Sequence, residues 1–158
     1  MDGIRREINM QYKTIIKLEE YIPLKIIFNE KDKEIVEYIS YSKDKTSYLE
    51  LTVGINSKEI KRITLLLCKD YSEYPQNLEV NHSENTKLNI NKGNYECSLF
   101  KTILYSNGVK IVVSEKKSSK YLKMDKVYLG ISDLNEIAEI CVCDMSKSEL
   151  NHLKRELQ

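Results

Sequence analysis

Two segments of this sequence, 47–55 and 60–68, alternate apolar and polar residues and are separated by the turn-like pair Asn56-Ser57. Side chains in a strand alternate between its two faces, so this pattern predicts a hairpin with one buried face. The residues placed on that face are Leu49, Leu51, Val53 and Ile55 in the first segment and Ile63, Leu65 and Leu67 in the second. A slip of one residue would expose the whole set, so the register should be firmly specified.

Two later segments also predict local pairs of strands. Asn107-Gly108 separates the β-rich runs 103–106 and 109–113, and an Asn-Gly pair in this position is a strong hairpin signal. The segment 127–145 predicts a further pair of strands around residues 132–135.

The N-terminal part of the chain is less regular. Residues 1–11 are ambiguous, although isoleucines four apart fit a short amphipathic helix, and 12–20 predicts a strand. The runs 24–28 and 34–39, joined by a polar turn at 29–33, predict a first hairpin.

The C-terminal sequence has the residue pattern of a capped helix. Ser146 and Glu149 have the spacing of a capping box, in which each side chain accepts from the other residue's backbone amide. Met145 precedes the cap and can pack on Leu150 as a hydrophobic staple. The apolar stripe that follows consists of Leu150, Leu153 and Leu157.

Together these elements predict an α+β fold. We expect a single domain, 1–158, built from a mainly antiparallel, curved, meander-like sheet of about six to nine strands with the C-terminal helix packed on it. A polar insert at about 70–96 interrupts the run of strands.

Composition excludes several functional classes. The formal net charge is +1, so no global field favours nucleic acid or an anionic membrane. The apolar runs are far shorter than a membrane span, and the N-terminus lacks the apolar region of a secretory signal. We therefore expect a cytoplasmic protein that binds neither nucleic acid nor membrane.

The cysteines and histidines do not predict a metal or nucleophilic site. Cys141 and Cys143 lie two apart in a predicted strand, so both point to one face as reduced, buried thiols. The other two cysteines, Cys68 and Cys97, lack metal-ligand spacing. His82 and His152 are both interpreted as solvated side chains, although each follows a glutamate by three residues.

No motif indicates catalysis or a cofactor. The glycines are isolated, which excludes a phosphate-binding loop; Gly54 and Gly130 instead predict bulges or close backbone approach. The carboxylates that could form an acid pair are Asp125, Asp133, Glu136, Glu139 and Asp144, and we interpret them as turn and solvent-face residues. We therefore predict no catalytic residue, cofactor or metal.

The insert 70–96 is the best candidate for a binding surface. It carries five acidic residues and two lysines, whereas 116–126 carries five lysines and one acidic residue. The chain can therefore have an acidic and a basic region although its net charge is close to zero. Tyrosine suits interfaces because it offers a large area with few rotors and a polar tip. The predicted partner-contacting residues are Asp70, Tyr71, Glu73, Tyr74, Glu79 and Glu84.

The order of the segments 48–55, 58–65, 130–133 and 144–149 around this insert resembles the immunity proteins encoded beside bacterial polymorphic or contact-dependent toxins. The resemblance covers about residues 45–158. It consists of the order of the hairpins and the terminal helix, and it includes no signature residue. It implies a cytoplasmic, non-catalytic protein that binds and blocks a cognate toxin, and a cationic toxin domain would suit the acidic insert.

Three other functions stay open from the sequence. A curved sheet could close over a pocket and carry a small molecule or lipid, which an apolar cavity would support. Scattered carboxylates could assemble an active site, marked by an acid pair with a raised pKa. The chain could also be a structural subunit of a phage or secretion assembly.

Overall fold

The structure is a computed structural model that describes residues 13–28, 33–81 and 88–157. The N-terminal segment that fits a short helix, most of the turn at 29–33, and the residues His82 and Glu84 lie outside these ranges. The elements in the described part are β1 Thr14–Glu19, β2 Ile22–Phe28, β3 Val36–Lys43, β4 Ser47–Gly54, β5 Ile60–Cys68, β6 Tyr71–Glu73, β7 Asn94–Glu96, β8 Lys101–Leu104, β9 Val109–Val112, β10 Lys120–Met124, β11 Val127–Ile131, β12 Ile137–Val142 and α1 Lys147–Glu156.

The strands form two six-stranded sheets. The first has the order β1-β2-β5-β4-β3-β7 and the second the order β10-β11-β12-β9-β8-β6. All neighbours are antiparallel except the outermost pairs β3–β7 and β6–β8, which are parallel. The predicted α+β class with mainly antiparallel strands is confirmed, but the single sheet is wrong. Strands with one apolar face need a facing layer, and here a second sheet supplies most of it.

One apolar core joins the two sheets and the helix. The first sheet contributes fully buried side chains such as Leu51 and Ile63, the second contributes Ile111 and Leu129, and α1 contributes Leu153. Each of these five side chains is completely shielded from solvent. Interdigitation of the inward faces of both sheets is therefore what holds the layers together.

Three predicted hairpins are confirmed and one is wrong. β4 pairs with β5, β8 with β9 across Asn107-Gly108, and β11 with β12. The predicted first hairpin does not form, because β2 pairs with β1 and β5 whereas β3 pairs with β4 and β7. Tyr21, at φ 66°, turns the chain tightly between β1 and β2, so the strand at 24–28 is already paired with its predecessor.

A bulge changes the register of the β4–β5 hairpin. Leu49 lies opposite Leu65, but its neighbour Tyr48 lies opposite Leu67, so Leu66 is the extra residue. A bulge of this kind moves the residues beyond it to the other face. The predicted core set is confirmed for Ile63 and Leu65 and is wrong for Leu67, which shares the outer row with Tyr48. It is also wrong for Ile55, which lies just beyond the end of β4 and is 38% exposed.

The helix begins with the predicted capping box. The Glu149 amide donates to the Ser146 hydroxyl at 3.2 Å, and the Ser146 amide donates to the Glu149 carboxylate at 2.8 Å. His152 is only 5% exposed, and its Nε2 lies 3.0 Å from the backbone oxygen of Ile22. The interpretation of His152 as solvated is wrong, because its ring fastens α1 to the start of β2.

Glu34 fastens the start of β3 to the β4–β5 turn. Its carboxylate accepts from the Asn56 and Ser57 amides, both at 3.2 Å, and lies 3.1 Å from the Lys61 ammonium. Hydrogen bonds from Ser57, and next Lys61, lower the pKa of Glu34 to about 2. A side chain at Gly54 would displace this carboxylate from its present position, so the glycine permits the close approach and has no unusual φ.

Ser146→Ala should lower the free energy of unfolding by about 1 kcal/mol, because the first turn loses its side-chain acceptor. Ser148→Ala is the matched control, since Ser148 is exposed in the same helix and no hydrogen bond of its hydroxyl is present in the described residues. Urea unfolding monitored by circular dichroism measures both variants. Equal stability of the two would show that the capping box contributes nothing.

Glu34→Gln should lower stability at neutral pH and remove part of its pH dependence. The folded pKa of Glu34 lies below its ordinary value, so its contribution is complete above about pH 4.5 and disappears as pH falls toward 2. Thermal melts from pH 7 to pH 2 should therefore show wild type and variant converging in acid. A constant difference at every pH would exclude this linkage.

Candidate functional site

The first half of the insert is fixed along the edge of the second sheet. Strand β6 lies parallel to β8, and the Tyr74 amide continues the pairing by donating to the Leu104 oxygen at 2.7 Å. Further on, the Asn107 side chain accepts from the Leu78 amide at 2.7 Å, and the Ser106 amide donates to the Gln76 oxygen at 2.9 Å. Residues 71–78 therefore have a defined backbone path.

The structure brings most of the predicted contact residues together along this edge. Asp70, Glu73 and Glu79 are exposed, and Tyr74 is 50% exposed, whereas Tyr71 is half-buried against the core. The Glu73 carboxylate lies 3.3 Å from the Lys154 ammonium of α1, with both side chains more than half exposed. The ring of Tyr74 meets the Tyr105 ring edge-on at 5.8 Å between centroids.

β6 is also the last strand of its sheet, and no described strand pairs with its outer side. An edge strand presents backbone amides and carbonyls to any chain that approaches. The acidic and aromatic side chains of this segment therefore belong to a strand whose outer side pairs with no described strand.

The second half of the insert forms a strap, residues 88–97, that connects the two sheets. At one end the Asn89 amide donates to the Asn135 oxygen at 2.7 Å, in the turn before β12. At the other end β7 pairs with β3, and the Cys97 amide donates to the Ser42 oxygen at 2.8 Å. The strap therefore spans the seam between the layers.

A groove of about 320 Å³, here called the strap groove, lies beside the strap. Tyr41 and Tyr95 form one wall as a stacked pair, with ring centroids 5.4 Å apart and planes 23° apart. The Tyr95 hydroxyl donates to the Asn91 oxygen at 3.0 Å, which fixes that ring. Tyr41 is only 8% exposed, and its hydroxyl makes no hydrogen bond within the described residues. Burial raises the pKa of Tyr41, so the hydroxyl stays neutral.

The strap groove is acidic. Glu96, Glu115 and Glu136 line it together with one cation, Lys116. The Lys116 ammonium lies 3.1 Å from the Glu136 carboxylate, and Glu115 accepts from the Ser98 hydroxyl at 2.8 Å. Carboxylates therefore exceed ammonium groups by two in this lining.

A second groove of about 600 Å³, the lysine groove, lies on the other side of residues 114–116, which line both. It carries an excess of cations, its lysines being Lys43, Lys101, Lys116 and Lys117 and its acids Asp70, Glu115 and Glu139. The Tyr121 hydroxyl donates to the Glu139 carboxylate across Gly130, where a side chain would collide with Glu139. Gly130 thus marks both the predicted close approach and a register shift in the β11–β12 pair.

The structure divides the candidate carboxylates between turns and grooves. Asp125 and Asp144 occupy left-handed turn positions, at φ 59° and 52°, as their interpretation as turn residues required. Glu136 and Glu139 instead line the two different grooves. Within the described ranges, no cluster of three or more His, Cys, Asp or Glu side chains could hold a metal ion.

The four cysteines are all buried and unbridged, as predicted. Cys141 and Cys143 share one small apolar cluster with Leu78 on the outer side of the second sheet. Burial raises the pKa of the Cys141 thiol, as it does for Cys143. These thiols are therefore small packing groups rather than nucleophiles.

Sequence reasoning missed the strap groove because its members are far apart in the chain. Tyr95 and Glu96 belong to the insert, but Tyr41 comes from β3 and Glu136 from the turn before β12. The parallel pairing of Tyr41 with Tyr95 has no local signal in the sequence.

Neither a protein-family model nor a curated protein matches the chain. Among the described residues, no helix has the length and apolar character needed to cross a membrane.

Asn107→Ala should loosen residues 74–81 and lower the free energy of unfolding by about 1–2 kcal/mol, because the Leu78 amide loses its acceptor. Asn77→Ala is the control, since Asn77 is exposed and no hydrogen bond of its side chain is present in the described part of the chain. Limited proteolysis should cut the first variant faster within this segment. Identical cleavage of both would show that Asn107 does not hold it.

Proposed function

We propose that this chain is a non-catalytic, cytoplasmic protein that binds another protein, and that it acts as an immunity protein against a cationic bacterial toxin domain. The observation that carries the proposal is the way the first half of the insert is held and exposed. Its backbone is fixed to the second sheet, while Asp70, Glu73, Tyr74 and Glu79 remain exposed. A pre-ordered surface loses little conformational entropy when a partner docks.

The charge of the insert supports a cationic partner. The described acids of the insert are Asp70, Glu73, Glu79 and Glu96, against the single described lysine Lys92. Such a surface attracts a basic nuclease-like cleft over distances near the Debye length and raises the association rate. Salt should therefore slow association more than it speeds dissociation.

The grooves give less support to a lipid carrier. Both have charged side chains in their walls, including Lys101 and Glu139 in the larger one. A lipid-binding cavity is expected to be mainly apolar with few polar groups. A protein partner that contacts the insert therefore agrees better with these surfaces.

Growth rescue tests the proposal. Co-expression with the toxin domain encoded beside its gene should restore growth, and the triple variant Asp70→Lys, Glu73→Lys, Glu79→Lys should lose most of this protection. The matched control reverses the same number of charges on other surfaces, at Glu20, Glu50 and Asp133. Full protection by the triple variant, with unchanged melting, would overturn the assignment of the insert as the binding surface.

A further inference from the structure

We propose that the strap groove receives an arginine side chain of the protein partner. This inference rests on the proposed function and names a specific contact within it. Three features of the groove carry it: an excess of carboxylates, the hydroxyl of a largely buried tyrosine that faces the groove without a hydrogen bond in the described residues, and a flat aromatic wall.

The charge of the groove selects a cation. Glu96, Glu115 and Glu136 line it with Lys116 as their single cationic neighbour. Lys116 already places its ammonium 3.1 Å from Glu136, so the groove attracts a cation from its own chain. Both side chains of this pair are about half exposed, and an exposed ion pair of this kind is weak. An incoming cation can therefore replace Lys116 at little cost.

Tyr41 supplies the second feature. Its side chain is more than nine-tenths buried and lines the groove, yet its hydroxyl has no hydrogen-bond partner in the described part of the chain. The hydroxyl oxygen is not one of the fully buried unsatisfied atoms of the described residues, so it reaches the groove, where a ligand group can bond to it in place of solvent. A ligand N–H donor would satisfy the oxygen of this neutral hydroxyl.

The shape and donor count favour arginine over lysine. A guanidinium presents five N–H donors in one plane and stacks on aromatic surfaces, whereas an ammonium is a compact point charge. The Tyr41–Tyr95 pair provides a flat wall, and the carboxylates lie around it as acceptors. One planar cation can thus contact the Tyr41 hydroxyl and a carboxylate at the same time.

The neighbouring lysine groove gives an internal contrast. It shares residues 114–116 with the strap groove but carries more lysines than acids. A guanidinium should be repelled there. The preference therefore depends on the particular side chains of the strap groove and not on the seam as a whole.

NMR titration of the full chain with N-acetyl-arginine amide tests the inference, with N-acetyl-citrulline amide as the uncharged control. Only the arginine compound should shift the amides of residues 41, 89–97 and 113–116. Tyr41→Phe keeps the ring but removes the hydroxyl, and it should weaken binding roughly fivefold, as expected for one hydrogen bond. Glu96→Gln should also weaken it, whereas Glu79→Gln, outside the groove, should not.

Three results would overturn the inference. These are equal binding of the citrulline compound, shifts centred on the lysine groove, or much tighter binding of free arginine, which would indicate an amino-acid site instead. Failure of the two proposals is distinguishable. Growth protection without arginine binding refutes the groove assignment alone, whereas arginine binding without protection refutes the toxin proposal alone.

Discussion

The inward faces of the two sheets bury one another, and every other feature of the fold depends on that contact. Neither sheet is covered by the helix alone, because α1 lies mainly against β2, where His152 reaches the Ile22 backbone. Side chains such as Leu51 and Ile111 are fully shielded in one core that both layers share. Burial of apolar area on this scale is the main stabilising contribution available to a chain without disulfides among its described cysteines.

The polar insert lies along the edges of both sheets and packs a few of its apolar side chains, such as Tyr71 and Leu88, against the core. Its first half extends one edge of the second sheet, and its strap extends one edge of the first. Both short strands pair in parallel, so they reach their neighbours by crossing from elsewhere rather than by a tight turn. The result is a pair of acidic, tyrosine-bearing surfaces held on the edges of the two sheets, and the proposed basic protein partner would contact them.

Short-range sequence signals predicted the structural elements that depend on residues close together in the chain. The hairpins around Asn56-Ser57 and Asn107-Gly108 and the cap at Ser146 follow from short-range turn and capping rules, and all three are confirmed. The second sheet, the pairing of Ser40 with Asn94, and the burial of His152 were not predictable in this way. They depend on contacts between residues that are far apart in the sequence, and the local periodicity of apolar residues does not report such contacts.

The same division applies to the candidate site. Composition identified the insert and its acids, and the structure places Asp70, Tyr71, Glu73 and Tyr74 along one edge. The strap groove required Tyr41 and Glu136 to meet residues from the insert, and only the folded chain brings them together.

Hydrogen–deuterium exchange with the proposed toxin partner tests most directly whether the chain works by presenting the insert to another protein. Complex formation should slow exchange in β6 and in residues 89–97, while the amides of β2 and β5 keep their rates. Protection confined to the outer face of the first sheet, with the insert unchanged, would contradict this view of the molecule.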